Sequence, residues 1–267
     1  MSDMKEQNAP RGENKMGYMP LGKLLLSMSL PMMISMFVQS LYNIVDSIFV
    51  AQISEHALTA VSLAFPIQNL MFSVAIGTGV GINSLLSRRL GEKNFDEVDM
   101  VANNGIFLAI CGFIVFMIVG FIVPRPYFES QTDNAEIIEY GVTYMRICLI
   151  ACAGVFGAIT FERLLISTGK TGLSMISQLT GTAFNLIFDP ILIFGLLGFP
   201  KMGIAGAALA TVLGQFAAMT VSFILNVRKN KEIRLSIKGL KPEGQIPLHL
   251  PTSICSLAWN SSSSILS

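Results

Sequence analysis

A chain of 267 residues in which 52% are hydrophobic and only 13% charged, with a mean hydropathy of +0.61, lacks the polar surface of a water-soluble globule, where about a quarter of residues are charged. The net charge of +1 makes no case for nucleic acid as a partner. What remains is an all-α integral membrane protein.

The first 23 residues are polar and read as a segment outside the membrane. Six apolar stretches follow at 24–53, 57–87, 100–123, 137–167, 171–198 and 203–227. Each is at least about 20 residues long, enough to cross the hydrocarbon core as a helix, and several are long enough to require tilt, kinks or overhang. The first stretch is too long for the apolar region of a signal peptide, so no cleaved leader is expected. Segments 1 and 2 meet in a tight turn near Ser54–His56. A charged link at 88–99 joins 2 to 3, and a loop at 124–136 joins 3 to 4. Thr168-Gly169-Lys170 and the Gly198–Met202 stretch are short turns made of helix-stopping residues. Links this short favour an antiparallel bundle of sequential neighbours. Gly77 and Gly81, four residues apart, and the small residues from Gly203 to Ala208 are expected to let helices approach closely.

The last 40 residues change character. Positions 228–241 are basic, and 242–267 form a tail rich in Pro and Ser that is too interrupted for a seventh span. The expected organisation is therefore 1–23, a six-helix membrane unit at 24–227, and 228–267 outside the membrane. Cys111, Cys148, Cys152 and Cys255 do not form a disulfide framework; three lie in apolar stretches and read as small packing residues. His56 and His249 are far apart and suggest no metal site. No cofactor is expected.

Charge distribution sets the topology. Of the 18 Lys and Arg, fourteen fall in alternate polar segments: before position 24, at 88–93, at Lys170 and at 228–241. Arg125 and Lys201 occupy the opposite set of loops, while Arg146 and Arg163 lie inside the fourth stretch. The positive-inside rule then puts both termini in the cytoplasm, and an even number of spans agrees.

Two carboxylates, Asp46 and Asp189, sit inside apolar stretches that carry almost no other charge. An acid kept in hydrocarbon is costly and marks a functional site. A neutral amide would tie helices together with less desolvation. Both acids belong to helices running in the same direction and lie at similar depth in the outer half. Each has a polar companion one turn earlier on the same face, Tyr42 for Asp46 and Asn185 for Asp189. Gln39, Gln178 and Thr182 extend those faces inward. Thr211 reaches the same level from the sixth helix, with Gln215 a turn deeper. Together these groups suggest a hydrated cavity, although Gln178, Thr182, Gln215, Gln68 and Asn69 read first as helix-to-helix hydrogen bonds. The acid pair could take up a proton, or its oxygens with Asn185 and Thr211 could supply hard ligands for Na⁺. Either event changes local charge and can bias a bistable helix packing. Pro31, and Pro190 directly after Asp189, each remove a backbone bond and are ordinary kinks or hinges. Glu162 and Arg163, at the inner end of the fourth helix, read as cytoplasmic anchoring and gating.

Several motifs resemble the N-terminal lobe of the multidrug and toxic compound extrusion (MATE) family. They are Leu30-Pro31, the run from Gln39 through Tyr42-Asn43 to Asp46, Glu162-Arg163 with Thr168-Gly169-Lys170-Thr171, Asn185-Leu186-Ile187-Phe188-Asp189-Pro190, and the run from Gly203 through Gly206 to Thr211. They span residues 20 to about 241. The resemblance implies an antiporter of the bacterial inner membrane that expels small amphipathic, often cationic, compounds in exchange for H⁺ or Na⁺. It implies that Asp46, Asn185 and Asp189 form the cation site, with Tyr42, Thr211 and Pro31 in supporting roles. The family has twelve helices in two lobes, so a second lobe, or a second copy of the chain, is an expected partner. After Lys241-Pro242-Glu243 the sequence departs from the family pattern, as a truncation or a shifted reading frame would make it.

Three other readings compete. A lipid-precursor flippase of the wider superfamily calls for a basic cavity, for which Arg146 alone is available. An intramembrane aspartyl protease needs a Gly-x-Gly-Asp pattern that Asp189 lacks, so no enzyme is expected. A fragment that inserts without transporting is the third.

Overall fold

A computed structural model of the chain describes residues 19–230, 232 and 233, and among these every regular element is a helix. They are α1 (Leu21–Ala51), α2 (Glu55–Gly91), α3 (Phe95–Ile122), α4 (Pro124–Gln131), α5 (Ala135–Ile150), α6 (Ala153–Ser167), α7 (Thr171–Phe194) and α8 (Ile204–Lys229), with a short 3₁₀ turn at Leu196–Gly198 between the last two. The expected segments 1–23 and 228–267 lie largely outside the described residues, as do Cys255, His249 and the tail.

The helices start where the sequence supplies caps. Ser54 accepts the Ala57 amide at 3.0 Å, and Asn94 accepts the Glu97 amide at 3.4 Å. Asn134 accepts from Glu136 and Ile137. Each cap satisfies donors that the first helical turn leaves open. Arg88 and Arg89 close α2, and Arg228 and Lys229 close α8, where cations offset the carbonyl end of the helix dipole. Gly169 and Gly195, at φ of 74° and 73°, supply the left-handed residues on which α6 and α7 end.

α1, α2, α3, α7 and α8 are each long and apolar enough to cross a membrane, and α5 with α6 forms a sixth span bent by 45°. The bend corrects the expectation of one helix over 137–167. At Ala151 the backbone leaves helical geometry, and the bonds across the break are long, 3.4 Å for Cys152 to Leu149 and 3.5 Å for Gly154 to Ala151. No Pro marks the spot. Across the bend both α5 and α6 pack against α2, α3 and α8, and α5 also meets α4.

Two other expectations change. The loop at 124–136 contains α4, because Pro124 and Pro126 start a helix without needing their missing amides and Phe128 is fully buried. The link at 88–99 shrinks to three residues, with Glu92 bonded to Arg88 and Arg89, and Arg89 bonded on to Glu97. Those two guanidiniums, Arg89 first, hold the Glu92 carboxyl below the usual range.

Sequential spans, with α5 and α6 taken as one, alternate in direction. Lys170 binds Asn230 at 3.0 Å and Glu232 at 3.5 Å, and Ser87 reaches the Ser167 carbonyl, so these residues share the basic end of the bundle. Burial holds the Lys170 ammonium below the ordinary lysine range, against the opposing pull of Glu232. At the other end His56 meets Glu136 at 2.7 Å. α7 and α8 make the tightest pair. A Cβ at Gly206 would lie 2.5 Å from the Leu192 carbonyl oxygen, and one at Gly181 would lie 2.9 Å from that of Gly214. Gly77 and Gly81, by contrast, have open space around them, and the close approach on α2 is at Gly79, covered by the stem of Arg163.

Candidate functional site

Asp46 and Asp189 each stand five residues before the end of their helix, α1 and α7. At 1.5 Å per residue, both lie about 8 Å from the far end of the bundle. α1 packs on α7, which brings the two faces together. Asp189 is fully buried and Asn185 nearly so. The Tyr42 hydroxyl donates to Asp189 Oδ2 at 3.3 Å, linking the companion of one acid to the other acid. Thr211 donates to the Ala207 carbonyl of its own helix at 3.0 Å and presents its hydroxyl to that of Tyr42. Asp46 is near enough to Asp189 to interact electrostatically. All five expected residues therefore converge.

The convergence leaves polar atoms without partners. Asp46 Oδ1, Asn185 Oδ1 and Asp189 Oδ1 are buried and accept no hydrogen bond from the described residues. An unmet buried acceptor costs about 1–3 kcal/mol, and three at one level make a set of hard oxygens suited to a proton or a small cation. The Asn185 side chain occupies the space that a Cβ at Gly214 would fill, so α8 must carry a glycine opposite the site. Pro31 and Pro190 lie within α1 and α7, which run on through them.

Other polar groups part company with the cavity drawn from sequence. Thr182 bonds the Gln178 carbonyl, and Gln178 turns to Glu162. Gln39 and Arg146 are exposed. Gln68 reaches the hydroxyl of Tyr144, a buried residue that also interacts with Asp46. Sequence reasoning passed over Tyr144. Its signal was a phenol in an apolar stretch, but only the bend between α5 and α6 shows which way it faces.

The MatE family model matches residues 31–191, a stretch that holds both acids, Asn185 and both prolines. The chain belongs to the MatE family. Among curated MatE-type relatives, the FAD transporter of Shewanella oneidensis is 29% identical over 212 residues, covering 79% of this chain and 47% of that protein. The multidrug export protein MepA of Staphylococcus haemolyticus is 28% identical over 221 residues, covering 82% and 48%. An outward-facing multidrug resistance MATE family transporter of known structure superposes with a TM-score of 0.79 at 27% identity, covering 91% of this chain and 52% of that one. The chain spans about half the length of the curated relatives it matches. It is a multi-pass membrane protein of a transporter family.

Proposed function

We propose that this MatE chain is one lobe of a cation-coupled antiporter that exports small amphipathic, often cationic, compounds. The observation that carries the reading is the set of three unpartnered buried oxygens, on Asp46, Asn185 and Asp189, in a membrane-spanning bundle. Asp46 and Asp189 bind H⁺ or Na⁺, with Asn185 and Thr211 as further oxygen ligands when the ion is Na⁺. Tyr42 holds Asp189 in place. Pro31 and Pro190 let α1 and α7 flex when the charge of the pair changes. The likeness to MepA supports multidrug export.

In this reading the basic end faces the cytoplasm of a bacterium, both termini lie there, and the acids sit in the outer half of the inner membrane. A second lobe or a second copy of the chain completes the transport cavity. The relation to an FAD transporter offers a second cargo. Buried carboxylates disfavour an anionic dinucleotide at this site, so the cationic class is preferred.

The chain reconstituted in liposomes should move ethidium when a pH or Na⁺ gradient is imposed, and Asp46→Asn and Asp189→Asn should each abolish the driven flux while still inserting. Driven flux that survives in both variants, or that carries FAD and excludes ethidium, would overturn the proposal.

A further inference from the structure

A third acid lies in the membrane on the other side of the bundle's midplane. Glu162 stands five residues before the end of α6, about 8 Å from the basic end. Its carboxylate accepts the Gln178 amide of α7, with Ser174 one turn earlier on that helix also close enough to act on it. Among the described residues the other group acting on it is Arg163, next to it on α6. Arg163 itself lays its stem over Gly79 of α2 and leaves its Nε buried without a partner. One turn on from Gly79, Asn83 leaves its Oδ1 buried without a partner as well. This is a second polar site, half-buried and set between α2, α6 and α7.

α7 joins the two sites. Thr171, Ser174, Gln178, Thr182, Asn185 and Asp189 recur every three or four residues and so form one face of the helix. That face is turned inward, while Ile176, Phe184, Leu186 and Ile187 are exposed on the other side. From Gln178 to Asp189 is eleven residues, about 16 Å along the helix. An apolar helix that needed only to pack would not carry polar groups along its whole inner face, since each must find a partner in a dry interior.

We propose that Glu162, held by Gln178, is a second proton-binding station that exchanges protons between the basic side of the membrane and the polar face of α7. The Gln178 amide approaches as a donor, which suits a carboxylate. When a proton binds, the Gln178 amide turns and its carbonyl accepts the new O–H of Glu162; when the proton leaves, the amide turns back. No bond other than O–H forms or breaks. The role of this station rests on Asp46 and Asp189 being the coupling site, but its proton binding can be read separately.

The measurement is the infrared difference spectrum between acidified and neutral samples of the purified 267-residue chain in lipid nanodiscs. The expected spectrum contains a protonated-carboxyl band that Glu162→Gln removes and Gln178→Leu moves in frequency. Glutamate labelled with ¹³C at its carboxyl separates glutamate bands from aspartate bands, and Glu162→Asp, which keeps a carboxyl at the position, should retain a band that the label no longer shifts. A carboxyl region that is the same in the parent, Glu162→Gln and Glu162→Asp overturns the proposal. Asp46→Asn and Asp189→Asn in the same experiment report on the other site: bands lost there and kept in Glu162→Gln leave the coupling site standing without this station.

Discussion

Asn185 and Gly214 show how narrowly the site is built. The asparagine amide fills the place where any other residue on α8 would put its Cβ, and its Oδ1 stays unmet beside that of Asp189. A methyl group added there forces the amide away from the acids. Inserting a methylene into a packed interior costs about 1–3 kcal/mol. Gly214→Ala should therefore lower the thermal unfolding temperature and weaken cation binding together, as measured on the same purified sample. An unchanged unfolding temperature would mean that Asn185 has room to move and is not fixed by its neighbour. The residues of this site were legible in sequence, because an acid in hydrocarbon and its partner one turn away can be read from spacing. Tyr144 was not, since a phenol in an apolar stretch has no face until the backbone around it is known.

Among the elements, α7 carries the most. It holds Asn185 and Asp189 and packs against both α1 and α8. Pro190 takes one backbone bond out of it directly beside Asp189. Pro190→Ala restores that bond and stiffens the helix where the charge changes. The variant should bind the cation as the parent does but transport more slowly, a split read by comparing equilibrium binding with flux. Equal loss of both would make Pro190 part of the ion site rather than a hinge. Although α7 ends on Gly195 rather than at Gly198, element limits were readable where Ser54 and Gly169 punctuate the chain. They were not at Ala151, where a run without Pro hides a 45° bend, nor at Pro124, where two prolines that suggest a loop in fact start a helix. Tertiary packing decided both: the bend keeps α5 and α6 each against α2 and α8, and α4 forms because Phe128 has a core to enter. The glycine spacing on α2 misled in the same way, since Gly77 and Gly81 face open space and only partners in three dimensions tell which glycine is needed.

At the scale of the whole molecule, only the narrow face of Ser35, Tyr42 and Val50 that meets α7 is buried on α1. Leu25, Leu26, Met33, Met36, Phe37 and Ile44 are all exposed on it, yet Ser40, Asn43 and Ser47 interrupt them at helical spacing. Asn43 and Ser47 line a shallow hollow of about 440 Å³ with Ile44, Ile48, Ala51 and Leu58. Ser40 and Ser47 bond the Met36 and Asn43 carbonyls of their own helix, but lipid chains give the Asn43 amide no partner, so this face should look onto water or a second lobe. α3, exposed through Ile114, Ile118 and Phe121, carries no such interruption. In a chain whose native cysteines are replaced by alanine, a cysteine at Asn43 should react with a membrane-impermeant maleimide at least about tenfold faster than one at Ile118, as expected for a wet position against a lipid-facing one. Equal rates would put α1 in lipid and remove the argument for a facing lobe.

The central claim is that Asp46 and Asp189 bind the coupling ion, and direct cation binding to the purified chain tests it without requiring a complete transport cycle. Proton uptake after a small acid addition and Na⁺ binding by calorimetry, made on the same preparation, should reveal saturable binding of at least one of the two ions. That binding should disappear in Asp189→Asn and in Asp46→Asn, while both variants keep the helical content of the parent. Binding that persists unchanged in both, or is absent from the well-folded parent, would contradict the account.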